Sequence, residues 1–178
     1  NYNDIFAALT ISKSLPKNTG TVIVKHANPC GVSIKKNHLE SYKSAIACDP
    51  VSAFGGIVSC NFKITKLLAL ELSKIFLEVI IANNFDPSAL KILKKKKNLR
   101  LIDASNYQIK NGLKHLSVSD EILLQSEDIK KFTIKDFKIV SKRKPSTKEM
   151  KDLIFAFNVC RYVKSNAIVL AANETTAG

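Results

Sequence analysis

The sequence predicts an α/β fold, a layered mixed sheet with flanking helices, and three observations carry that reading. Short β-branched runs such as Thr21-Val22-Ile23-Val24 and Val79-Ile80-Ile81 have the length and composition of buried strands. Between them lie stretches with apolar residues at helical spacing, opened by residues suited to helix starts. The two signals alternate along the chain, as expected of a layered domain with mixed or largely parallel pairing.

Taken in order, residues 4–15 read as an amphipathic helix through Ile5, Ala8, Leu9 and Ser12, closed by Pro16 and Gly20. The strand at 21–24 follows, then a turn-rich segment at 26–31. A second helix spans 38–47 and stops at Asp49-Pro50, ahead of the small-residue loop Ser52-Ala53-Phe54-Gly55-Gly56. A strand at 57–60, a helix capped by Thr65 and running to about Ile75, and the strand at 79–81 come next. Pro87 opens another helix, and 99–102 reads as a strand. Residues 103–120 carry no period and read as a loop or insertion. Short strands are expected at 122–124, 137–140 and 167–171, with a helix from Pro145-Ser146-Thr147 to about Val163.

A chain of 178 residues suits one domain or one lobe, and 46% hydrophobic residues can fill a core. No apolar run approaches the roughly 18 residues of a membrane span. The opening Asn-Tyr-Asn-Asp has no signal-peptide pattern, and the chain reads as an excerpt of a longer cytoplasmic protein. The net charge of +13 raises nucleic-acid binding. Only Arg100, Arg143 and Arg161 are arginines, however, and arginine is the residue that reads bases and forks phosphates. The reading is therefore no nucleic acid and no membrane; an anionic small molecule would use the same field. Cys30, Cys48, Cys60 and Cys160 show no Cys-x-x-Cys spacing, so free thiols and no metal are expected.

Three segments stand out chemically. Lys25-His26-Ala27-Asn28-Pro29-Cys30-Gly31 follows a buried strand directly, where open α/β sheets bind ligands. Neighbouring strand residues face opposite ways, so Lys25 and His26 can share a site only if the strand has ended. A satisfied polar residue at a strand end remains the plain alternative for His26. Residues 49–56 carry paired glycines that let a backbone approach a ligand, or simply turn tightly. Val163-Lys164-Ser165-Asn166-Ala167 places an amide at a helix-to-strand junction, as an orienting group or as a turn residue.

Together these segments resemble the formyltransferase half of the bifunctional purine biosynthesis protein family. That family couples aminoimidazole carboxamide ribonucleotide (AICAR) transformylase to inosine monophosphate (IMP) cyclohydrolase. The matching stretches are residues 22–31, 49–57, 76–82, 89–101, 140–145 and 163–169. Lys-His-Ala-Asn-Pro-Cys-Gly followed by Ser-Ala-Phe-Gly-Gly is the specific part. The usual glycine pair before Leu123-Leu124-Gln125 is replaced by Glu121-Ile122. The resemblance implies that residues 1–178 are a partial AICAR transformylase domain, the first cytidine-deaminase-like lobe, without zinc. The cyclohydrolase domain would lie upstream and the folate-binding part downstream.

By the same resemblance Lys25 and His26 are catalytic. Asn166, Gly55, Phe54, Glu78 and Asn1 are substrate contacts, and 10-formyltetrahydrofolate is the cosubstrate. His26 would take a proton from the AICAR amine while Lys25 meets the oxyanion, or the two roles are exchanged. A homodimer with shared sites is implied for the parent chain, and inactivity for the isolated piece. The alternative function is a non-catalytic nucleotide-binding module or an inert fragment.

Overall fold

The computed structural model describes residues 1–109 and 112–178. A seven-stranded mixed sheet runs in the order β5-β4-β3-β1-β2-β9-β8. Its strands are β1 (Gly20–Lys25), β2 (Asn28–Ile34), β3 (Gly56–Cys60), β4 (Leu77–Ala82), β5 (Arg100–Asp103), β8 (Ala171–Ala172) and β9 (Thr175–Thr176). β3, β4 and β5 are parallel, joined by crossovers through α3 (Lys66–Leu72) and α4 (Pro87–Leu93). The remaining neighbours pair antiparallel. A separate hairpin joins β6 (Leu113–Val118) and β7 (Glu121–Ser126).

Strand alternation sorts the core into two layers. Ile23, Val58, Ile80 and Ala82 face α2 (His38–Ile46), α3 and α4, where they pack with Tyr42, Leu68, Leu72 and Leu93. Val22, Val24, Ile57, Val79 and Ile81 face the opposite way, onto α1 (Tyr2–Ser14) and α5 (Thr147–Cys160). The central strands are buried on both faces, which is why they read as unbroken β-branched runs.

Local signals set the helix starts. Asn37 accepts from the Leu39 and Glu40 N–H groups at the head of α2. Thr65 caps α3, and Pro87 sits at the first turn of α4. Ser146 and Glu149 form a reciprocal capping box on α5.

The structure corrects several expectations. Only His26 and Ala27 turn; residues 28–31 belong to β2, because β1 supplies a hairpin partner. The expected loop at 103–120 contains β6, while Lys110 and Asn111 within it lie outside the described residues. Residues 137–140 form no strand and follow a 3-10 turn at Ile134–Asp136, closed by Thr133 and Asp136. α5 ends at Cys160, short of Val163. In the segment 167–171 only Ala171 is in a strand; within the run before it, Leu170 donates its N–H to Gly178 O and accepts from Ala177 N–H, both at 2.8 Å, without extending the ladder.

Candidate active site

The site begins where β1 ends. Lys25 pairs with Asn28, so His26 and Ala27 form a two-residue hairpin turn. Their φ values are 54° and 59°. Both left-handed residues carry a Cβ, which costs roughly 1–2 kcal/mol apiece; in return the turn matches the twist of its strands. The strand therefore ends between Lys25 and His26, so strict strand alternation does not govern the pair. Lys25 is half-buried and His26 exposed.

Lys25 is anchored on the neighbouring loop. Its Nζ donates to the Phe54 carbonyl at 2.6 Å. That loop is wound by its own contacts: Asp49 Oδ1 accepts from Ser52 N–H at 2.9 Å, and Gly56 N–H donates to Ala53 O at 3.0 Å. Hydrogen bonds from Ser52 hold the Asp49 carboxyl below its ordinary pKa. Gly55 takes φ 71°, a conformation that suits glycine. Its N–H donates to Phe76 O at 2.9 Å, and the Phe54 and Phe76 rings lie 5.5 Å apart, both exposed.

Two bulges frame the same end of the sheet. Gly56 pairs with Leu77 and Ile57 with Val79, leaving Glu78 as the extra residue. Bulges re-aim side chains, and Glu78 accepts from the Asn1 side-chain amide at the start of α1. In β2, Cys30 is the extra residue opposite the Ile23–Val24 step. Burial pushes the Cys30 thiol up to about 11, with Asp49 adding to the shift and Lys25 opposing it.

The third segment reaches the turn from beyond α5. Lys164 Nζ donates to His26 O at 3.0 Å, and Lys164 N–H donates to Asn28 Oδ1 at 3.1 Å. Asn166 is exposed in this segment, and its side chain has no hydrogen-bond partner among the described residues. Lys25, Phe54, Gly55 and His26 thus share one neighbourhood. Glu78 and Asn1 meet each other beside it, and Asn166 enters only through Lys164.

This neighbourhood lies beyond the carboxyl end of β1 but at the amino ends of β3 and β4, because β1 runs antiparallel to β3. A cavity of about 840 Å³ runs along α1 and meets the site at Ala27, Val163 and Lys164. Phe76 and Lys164 were not singled out from sequence. An aromatic residue just ahead of an apolar strand, and a lysine two residues before the chosen Asn, were the signals available. Among the described residues, no group of three or more His, Cys, Asp or Glu could hold a metal ion. No described helix is long and apolar enough to cross a membrane.

Comparison with known proteins places the chain. The family description "AICARFT/IMPCHase bienzyme" matches residues 1–178. The chain is 44% identical over 182 residues to the bifunctional purine biosynthesis protein PurH of Parvibaculum lavamentivorans, covering 100% of this chain and 34% of that protein. PurH of Persephonella marina is 43% identical over 180 residues, with 100% and 34% covered. PurH of Bacillus cereus is 45% identical over 179 residues, with 100% and 35% covered. The chain thus spans about a third of the length of the curated relatives it matches. It belongs to the AICARFT/IMPCHase bienzyme family of purine biosynthesis.

Proposed function

We propose that residues 1–178 form part of the AICAR transformylase half of their parent protein and carry its proton-transfer pair. In this reading the parent moves a formyl group from 10-formyltetrahydrofolate to the 5-amino group of AICAR. The observation that carries the reading is the end of β1. Lys25 and His26 stand on either side of it, and Lys25 is already fixed on the loop of Phe54 and Gly55.

The AICAR amine is a weak nucleophile, because its lone pair is delocalised into the ring and the carboxamide. His26 takes the amine proton as the nitrogen attacks the formyl carbon. The Lys25 ammonium meets the oxyanion that develops on the formyl oxygen. The bond from the formyl carbon to the folate nitrogen then breaks, and the proton passes from His26 to that nitrogen. Glu78 and Asn1 offer an acceptor and a donor to the nucleotide beside the pair, and Asn166 offers its amide from the segment beyond α5.

The family membership supports the wider reading. It comprises a second, cyclohydrolase activity in the parent chain and a homodimer with shared sites. It also comprises a cytidine-deaminase-like lobe architecture, a cytoplasmic location, and inactivity of residues 1–178 alone. The test is formyl transfer by the full-length parent, followed by folate absorbance. Lys25→Ala should lose about 100–1,000-fold in kcat, and His26→Ala about 100–10,000-fold, with nucleotide binding retained. Near wild-type turnover by His26→Ala sinks its role. An inactive wild type sinks the assignment to this half and favours a nucleotide-binding module.

A further inference from the structure

We propose that Lys164 is a positioning residue that clasps the His26–Ala27 turn and so aims His26. The proposal rests on the formyltransferase reading for its activity readouts. Lys164 grips the turn twice, with its ammonium on His26 O at 3.0 Å and its backbone N–H on Asn28 Oδ1 at 3.1 Å. One residue, more than 130 positions away in sequence, thus holds both ends of a two-residue turn.

The turn needs holding, because both its residues are left-handed and neither is glycine. The chain contains a second turn of the same kind that shows what holding looks like. Asn173 and Glu174, between β8 and β9, have φ 55° and 54°. The Asp152 carboxylate accepts from both of their N–H groups, at 2.9 and 2.7 Å. The Lys35 ammonium donates to Asn173 O. Each turn therefore carries a lysine on the carbonyl of its first residue. The His26 turn has no counterpart of Asp152 among the described residues, so Lys164 bears more of the load there.

The two members of the pair are also held separately. Lys25 depends on Phe54 O, and His26 on Lys164. Loss of the clasp should free His26 while leaving Lys25 in place. Lys164 makes no ion pair among the described residues, which leaves the turn as its partner.

The experiment uses the full-length parent protein with Lys164→Met, Lys164→Arg, and Lys164→Met in a His26→Ala background. Lys164→Met should lower kcat about 100-fold, the scale of a small misplacement of a reacting group, with KM for the nucleotide changed by less than a few-fold. Lys164→Arg, which keeps a cationic donor, should recover most of that loss. In the His26→Ala background Lys164→Met should add nothing, because its effect runs through His26. Hydrogen exchange in peptides covering residues 25–31 should accelerate in Lys164→Met, with other regions unchanged.

A loss confined to KM would make Lys164 a substrate contact and overturn the proposal. Full additivity with His26→Ala, or unchanged exchange in the turn, would overturn it too. If the wild type shows no transfer but the turn still loosens, the clasp stands and the formyltransferase reading falls. If the Lys25 and His26 variants lose turnover while the turn is indifferent to Lys164, the reading stands and the clasp falls.

Discussion

Asn61→Ala should uncouple α1 from the sheet. Asn61 follows β3 directly and is 4% exposed. Its Oδ1 accepts from Thr19 N–H at 3.0 Å and Gly20 N–H at 2.9 Å. Its Nδ2 donates to Ser12 O at 3.0 Å and Pro16 O at 2.9 Å. Truncation strands four backbone groups at the end of α1 and the start of β1. At a net contribution of about 1 kcal/mol per bond, the loss is about 4 kcal/mol. Native-state hydrogen exchange of the complete protein reads this directly, as nearly thousandfold faster exchange in α1 and β1. Asn61→Asp should not rescue it, because the new oxygen would face the Ser12 and Pro16 carbonyls. Acceleration of less than about tenfold, roughly 1.4 kcal/mol, would refute the reasoning, since water would then be replacing the side chain.

Gly31→Ala should be among the most damaging substitutions, because an added Cβ would lie 2.0 Å from the Ala45 carbonyl oxygen of α2; denaturant titration should show a loss of about 3 kcal/mol, the upper range for overpacking. Gly55→Ala meets only ordinary contacts, 3.6 Å from the Phe76 ring, but must hold φ 71°. It should fold with a loss of about 1–2 kcal/mol and show reduced turnover, since Phe54 O, the acceptor of Lys25, would move. The Cys30 thiol, raised to about 11 by burial, should resist iodoacetamide at pH 8. Below its ordinary value of 9.0 the thiol is neutral in both folded and unfolded chains. As pH rises from there to about 11 the unfolded chain ionises first, so stability should fall across that window. The Glu149 carboxyl is held down to about 2, chiefly by Arg143. Its support of α5 should be present above its ordinary value of 4.5 and lost as pH falls towards 2. Exchange at the head of α5 should follow that curve, and Arg143→Ala should narrow the window.

The strands read most directly were those buried on both faces, β1, β3 and β4, because nothing competes with their β-branched pattern. The expected strands at 99–102 and 122–124 are also present, as β5 and within β7, though neither is buried on both faces. β2 was not legible. Asn28, Pro29 and Gly31 are turn formers by local chemistry, and a paired strand overrides them. β6 was missed because its apolar residues Leu113, Leu116 and Val118 fall on both faces of a hairpin that packs little. The segment 167–170 misled in the opposite direction: Ile168 and Leu170 are β-formers that stand exposed outside any strand, and the Leu170 backbone bonds to Ala177 and Gly178 just past β9. In the candidate site, the Lys25–His26 step could be argued from a strand followed by turn residues. The meeting of Asn1 with Glu78 could not, because it crosses 77 positions and depends on a bulge that no local pattern announces. The grip of Lys164 on the turn is hidden for the same reason.

The candidate site draws on residues near positions 1, 25, 54, 78 and 164, and β2 joins Ser33 to Thr175 across 142 positions. Such long loops close slowly. The hairpin bearing Lys25 and His26 can form early from local sequence, but the clasp by Lys164 must wait for almost the whole chain. On the proposed reading, a ribonucleotide bound there would engage a surface that exists only after the last segments dock. It should therefore slow unfolding rather than hasten folding. Retarded proteolysis in the presence of ligand would then report completion of the entire sheet, not just occupancy of one corner of it.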